Sequence, residues 1–396
     1  ITVTVTDGMG QSVTSGTVIA TNTSNGAQYE AQIGSDGKAV IQVVPGTFTL
    51  STGDGIVSVY STSVTVASGG SKTASLTVYG PNTVTVNTPM SNMTVVVSAP
   101  GITVSANTGS AKSVTLTLPV SVGAGQGNGY TYTVYATDGS DSGSSKVYWT
   151  TFQYSGASST VSLSSGSVLY DVSGVLKNRS GNPTDGSVYF TSSDGKTIFA
   201  ESDGGDFATM LPSGTYTMYA YDGSYSAILK TITVGTTDLD LGDVEMSESR
   251  TITTILNYKT YMSSGTTKGL AYLQVDIDAI VVGTETFSLS WITDSSGKAV
   301  VYIPSGSSCT INVAAMDSSY LTMEAKSKEI SAGSSSSSNT FSATAKEVTV
   351  KSPGPYEVTL EPYSSVLEEV TVTSAGVKVA PGQYTAVVKA SSGYYY

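Results

Sequence analysis

The residues able to do chemistry in this chain are most informative through what is missing. Among its 396 residues there is no histidine. That removes the commonest general base, the commonest metal ligand and the usual pH switch near neutrality. Serine is abundant, yet without an imidazole to take its proton a Ser-His-acid nucleophile cannot be assembled. The single Cys309 can form neither an internal disulfide nor, alone, a thiolate metal site, and it reads as a small buried hydrophobe.

Carboxylates are the remaining chemical groups. Paired acids run glycoside hydrolysis, and Asp238, Asp240 and Asp243 recur in the run from Asp238 to Glu245. Alternation puts Asp238 and Asp240 on one face and Leu239 and Leu241 on the other, which describes a strand with one wet face. Asp138 and Asp141 could offer oxygens to calcium, but two carboxylates are few and the spacing is not that of an EF-hand. The stretch Gly123–Gly129 has no following helix and no Gly-Lys-Ser/Thr, so it reads as a loop and not a phosphate cradle. Lys177 lies on an expected first strand, where an intramolecular Lys–Asn cross-link would require it, although no partner is legible. Three acceptor sequons, at Asn22, Asn92 and Asn178, mark candidate glycan attachment points. No catalytic, metal or cofactor site is expected, and the chain does not read as an enzyme.

Composition bounds the partners. A net charge of −12 argues against nucleic acid, which needs clustered Lys and Arg. No run of 18 apolar residues is present, so no membrane-spanning helix is expected. The chain begins at Ile1 and not Met, which fits removal of a signal peptide and an extracellular, cell-surface location. Of its aromatic residues 25 are Tyr, a ring that can sit half in a core with its hydroxyl wet.

The elements that must position these residues are strands. Period-2 alternation appears in Val84-Thr-Val86, Val114-Thr-Leu116-Thr-Leu118 and Thr131-Tyr-Thr-Val-Tyr135, punctuated by Asp36-Gly37, Asp194-Gly195 and Asp222-Gly223. Below the alternation lies a repeat. A Gly turn, a short strand, a Pro-Gly or Pro-Ser-Gly turn and another strand recur around Pro45, Pro212, Pro304 and Pro381. Phe48, Tyr216 and Tyr384 follow three of these turns, and Cys309 stands at the corresponding place after Pro304.

This pattern resembles the carboxypeptidase-regulatory-like, or transthyretin-like, β-sandwich family. The resemblance covers about 1–79, 169–247 and 248–345. It implies an all-β fold of tandem Ig-like/transthyretin-like antiparallel β-sandwich domains. The expected division is 1–79, 80–168 as a sandwich of a different subtype, 169–247, 248–345, and 346–396 as a short or incomplete C-terminal β-domain. The serines Ser334 to Ser338 read as a loop or linker.

Small sandwiches strung in series imply mechanical work. An incomplete last unit and an alternating face at Ile1, Val3 and Val5 point to strand donation between copies, giving a head-to-tail homopolymer. Archaeal extracellular filaments built this way look like the nearest analogy. The alternative for Ile1, Val3 and Val5 is that they form the first strand of their own domain. Alternative functions are an adhesin or virion spike binding a surface ligand or glycan, or the non-catalytic stalk of a secreted enzyme.

Overall fold

The computed structural model describes residues 1–7, 12–14, 16–52, 59–61, 63–78, 82–100, 102–118, 130–154, 159–259, 267–317, 321–345, 348–352, 357–362, 369–379, 384–390 and 393–395. The stretch Gly123–Gly129 and the turn at Pro381 lie outside them. Every regular element among the described residues is a strand. This follows from the sequence: β-branched residues at alternate positions fill one face of a pleat, while Asx-Gly pairs reverse the chain.

Buried side chains gather into five clusters. They centre on 1–76, 84–163, 172–246, 252–343 and 358–379. The chain is therefore all-β, built of β-sandwich modules with mainly antiparallel pairing.

One connectivity recurs in the first four modules. The first strand lies in the middle of its sheet. On one side it pairs antiparallel with a mid-module strand, and on the other it pairs parallel with the module's last strand. In the first module Thr2–Asp7 lies between Lys38–Val40 and Thr73–Val78. Asn82–Asn87 lies between Ser113–Leu118 and Ser159–Ser162. Gly166–Lys177 lies between Asp206–Pro212 and Leu239–Glu245, and Ser247–Lys259 between Lys298–Pro304 and Ser337–Ala345. Four paired strands face each of these, as a separate sheet in the first and fourth modules and as part of a larger sheet in the second and third.

The first strand of the module over 80–168 thus has the same two kinds of neighbour as the first strands of the other three. The module's missing Pro-Gly turn is a local feature. Pairing is set by which alternating faces must meet, and that pattern is shared.

The serine stretch is corrected at its end only, since Ser334 to Ser336 form a loop as expected. Ser337 and Ser338 pair with Ile252 and Thr253 as the start of a last strand, and Ser336 Oγ accepts the Thr251 N–H at 3.1 Å. A serine hydroxyl costs little at a strand edge that faces water, so composition alone does not exclude pairing there.

Turn glycines carry local constraints at two cognate places. Gly37 and Gly297 both sit at positive φ, 73° and 78°. A Cβ on Gly297 would stand 2.3 Å from the Leu256 carbonyl oxygen, so no other residue fits there without moving backbone.

Phe48 is fully buried and meets Tyr29 edge-on at 5.8 Å in the first module. Phe48→Ala should cost that module about 3–5 kcal/mol. Hydrogen exchange should then quicken over residues 1–76 and stay unchanged over 247–259. Uniform quickening along the whole chain would contradict a separate first core.

Candidate functional site

The notable geometry lies at the joints between modules. Gly166–Lys177 is 12 residues long and Ser247–Lys259 is 13, each longer than one sandwich needs. The first of these pairs with Lys146–Gln153 of the preceding module through Gly166, Ser167 and Val168. From Leu169 onward it pairs inside its own module. Likewise Ser247 and Glu248 pair with Ala227 and Ser226, and from Ser249 the same strand pairs with Pro304 onward. A single extended backbone therefore belongs to two sandwiches, and no flexible linker separates them.

Tyrosines lock the second of these joints. The Tyr219 hydroxyl donates to the Tyr302 carbonyl at 2.8 Å and accepts the Tyr302 N–H at 3.2 Å. Tyr302 in turn donates its hydroxyl to the Gly223 carbonyl at 2.9 Å, and its ring stacks on Tyr221 at 5.2 Å. Trp291 meets Tyr189, Tyr219 and Tyr221 edge-on at 5.8–6.1 Å. Buried aromatic rings with satisfied hydroxyls give the joint both area and direction. Burial, followed by the neighbouring Tyr221, pushes the Tyr219 phenol well above its ordinary range.

A third contact is non-sequential. Ala271, Tyr272 and Ile292 of the fourth module are buried with the core of the second, and Tyr130 donates its hydroxyl to the Ser290 carbonyl at 3.1 Å. The third module also meets the second. Thr197 donates its N–H to Thr133 Oγ1 at 2.9 Å, and Lys196 Nζ sits 5.0 Å from the centre of the Trp149 ring. The middle three modules brace one another, which corrects the expectation of self-contained units meeting only in series. The physical cause is the shared strands, which hold adjacent modules close enough for side faces to merge.

Sequence reasoning missed Arg250. It is buried, and its guanidinium donates to the carbonyls of Ser307 and of Ser331 and Ser335, the last two at 2.9 and 3.4 Å. One cation thus fastens the Pro304 turn and the serine stretch to the long shared strand. A lone Arg among Ser residues carried no readable spacing that could have announced this.

The other predicted positions are placed as follows. Ile1, Val3 and Val5 are buried in the first core, with Thr2–Asp7 paired on both sides at home. To donate that strand, a copy would give up two ladders. Asn22 is 5% exposed, its Oδ1 accepts the Ser24 N–H at 2.9 Å, and its Nδ2 packs against Gly46. A glycan there would have to displace this packing. Asn92 is exposed at positive φ, and Asn178 is half-buried with Oδ1 accepting the Ser180 N–H at 2.9 Å.

Lys177 ion-pairs with Asp243 across the parallel ladder, with both groups reaching solvent. Asp238 is exposed and accepts from Ser142 and from the Asp171 N–H. Asp138 accepts the Lys146 N–H at 2.6 Å and the Tyr148 hydroxyl at 3.3 Å. Cys309 is buried, and burial raises its thiol pKa while Arg250 works the other way. Among the described residues no three Cys, Asp or Glu side chains are grouped to hold a metal, and no helix is long and apolar enough to cross a membrane.

No protein-family model matches the chain, and no curated protein does. Solved structures give distant likenesses. The Bacillus anthracis TIE protein aligns at 13% identity and a TM-score of 0.19, over 83% of this chain and 66% of that one. The chain thus spans about two thirds of that protein's length. A minor pilin of Streptococcus agalactiae aligns at 15% identity and TM-score 0.19, over 47% of this chain and 99% of that one. The major pilin subunit BcpA of Bacillus cereus aligns at 9% identity and TM-score 0.17, over 67% and 100%. At such TM-scores these likenesses carry no argument about function.

Two measurements check the joint. Arg250→Met should lower stability by about 3 kcal/mol, because it strips charged donors from buried carbonyls. The loss should be read as faster exchange over 331–338. The second is alkaline unfolding. Burial pushes the Tyr154 phenol up to about 12, and Tyr130, Tyr132 and Tyr219 are raised by burial as well. A raised folded pKa means stability fully present below the unfolded value of about 10 and lost as pH climbs through the folded values. The share of tyrosinate absorbance that comes from these buried rings should therefore lag and then rise together with unfolding above about pH 10. Titration of the full tyrosine complement near pH 10 with the fold intact would contradict it.

Proposed function

We propose that this chain is a structural subunit of an extracellular filament or cell-surface assembly, doing mechanical and not catalytic work, and associating with copies of itself. The observation that carries this reading is the pair of long strands, each shared by two sandwiches. A backbone ladder running across a joint resists bending far better than a Gly/Ser linker, and only a load-bearing or distance-setting part needs that. Arg250 and the Tyr219–Tyr302 pair add to the same stiffness, whereas a chain of independent binding modules gains nothing from merged cores.

The modules over 1–79, 80–168, 169–247, 248–345 and 346–396 supply length. Copies meet head to tail, which propagates because the contact does not close on itself. Asn92 and Asn178 are the glycan acceptors in this reading, and an intact native mass equal to the bare polypeptide would exclude both.

Electron microscopy of the purified chain, with light scattering across concentration, tests the assembly. Filaments or concentration-dependent growth are expected, and a monomer at every concentration would overturn the reading. A Gly-Ser pair inserted between Glu248 and Ser249 should leave module cores folded and broaden the small-angle scattering distance distribution. An unchanged distribution would remove stiffness as the purpose of the shared strand.

A further inference from the structure

The chain has two arginines, and their surroundings differ. Arg179 is exposed and meets the Glu248 carboxylate at 2.7 Å. Arg250 is 4% exposed, and among the described residues no Asp or Glu forms an ion pair with it. The one acid on its own strand, Glu248, is the acid that Arg179 engages.

A guanidinium keeps its charge at any pH a protein tolerates, so Arg250 cannot escape burial by losing a proton. Burying such a charge is costly unless something of opposite sign compensates it. The carbonyl dipoles of Ser307, Ser331 and Ser335 do part of this work. They carry no net charge, so one positive charge is left over inside the fold.

Donors are left over as well. Nη2 donates to Ser307 and Ser331, and Nη1 makes one long bond to Ser335 at 3.4 Å. That leaves the second Nη1 hydrogen for a further acceptor. The Nε–H is buried and has no acceptor among the described residues.

Room for an acceptor lies on the Nη1 side. A Cβ built on Gly333 would meet Arg250 Nη1 at 3.7 Å and, its chain neighbours aside, no other atom within 4 Å. Gly333 lies outside the left-handed region, so its backbone conformation does not require a glycine. Its missing side chain leaves space beside the cation. Ser334, Ser335 and Ser336, which follow it, are exposed, so ions in the surrounding water reach this place. The charge is also felt at the buried Cys309 thiol, where it opposes the effect of burial.

We propose that a small monovalent anion of the chloride class binds against Arg250 Nη1 beside Gly333 and neutralises the buried guanidinium. A single negative charge matches the single positive charge left over. Water would satisfy a donor and leave the charge, and a multiply charged oxyanion would cost more to strip of its water. The anion completes the clamp that ties the Pro304 turn and residues 331–336 to Ser247–Lys259. The site needs only one copy of the chain and stands apart from self-association.

The test compares the dilute full chain in sodium chloride and in sodium gluconate at equal ionic strength, gluconate being too large for the space beside Gly333. Chloride should slow hydrogen exchange over 331–338 saturably, by about ten-fold once it reaches about ten times its dissociation constant. The chloride NMR line should broaden when the protein is added. Arg250→Met should lose both effects. Gly333→Ala keeps the cation and fills the space, and it should lose them too with the module still folded. If Arg250→Met does not fold, Gly333→Ala decides alone. Equal exchange in the two salts at every concentration would overturn the proposal, because carbonyls and water would then balance the charge unaided. Slowing that never saturates would be a general salt effect and would overturn it as well. Slowing kept in either folded variant would put the anion elsewhere, with the same consequence.

Discussion

The rest of this structure depends on backbone hydrogen bonding that does not stop at module boundaries. Gly166–Lys177 and Ser247–Lys259 each leave one sheet and enter another without an intervening turn. An extended strand held by ladders on both sides of a boundary has no soft dihedral left to act as a hinge. The side faces of adjacent modules are then held close, and the Tyr219–Tyr302 exchange and the Tyr130 bond to Ser290 become geometrically available. The merged cores are consequences of the shared strands.

Tyrosine suits this arrangement better than phenylalanine or leucine would. A joint between two sheets always leaves some main-chain groups facing a neighbour. A phenol covers apolar area and still satisfies one such group, as Tyr219 does for Tyr302 and Tyr302 for Gly223. Arg250 answers the same need with a fork of donors aimed at carbonyls on two loops. Low charge elsewhere is consistent with many thin cores, since each burial of an ion would need such a partner.

Much of the fold was legible because strand pairing writes itself into alternation and turn chemistry. The strands themselves, the Asx-Gly reversals and the repeat around Pro45, Pro212 and Pro304 were all readable. The candidate site was not. The end of the serine stretch looked like a linker because its pairing partner, Ile252 to Thr254, lies over 80 residues away in the chain. Asn22 satisfied a sequon yet is buried against Gly46, a contact made only when two strands meet. The module over 80–168 lacked the repeated turn but kept the same two kinds of neighbour for its first strand, because pairing follows from faces and not from one reversal.

By itself the sequence determined local conformation and the chemistry that cannot occur. Alternation dictates strands, positive-φ glycines dictate reversals, and the lack of histidine closes off imidazole chemistry whatever the fold. Only the tertiary structure decided which strands are shared and which tyrosines meet. Those outcomes depend on contacts between segments far apart in sequence, where each segment's own pattern is compatible with many partners and only packing selects one.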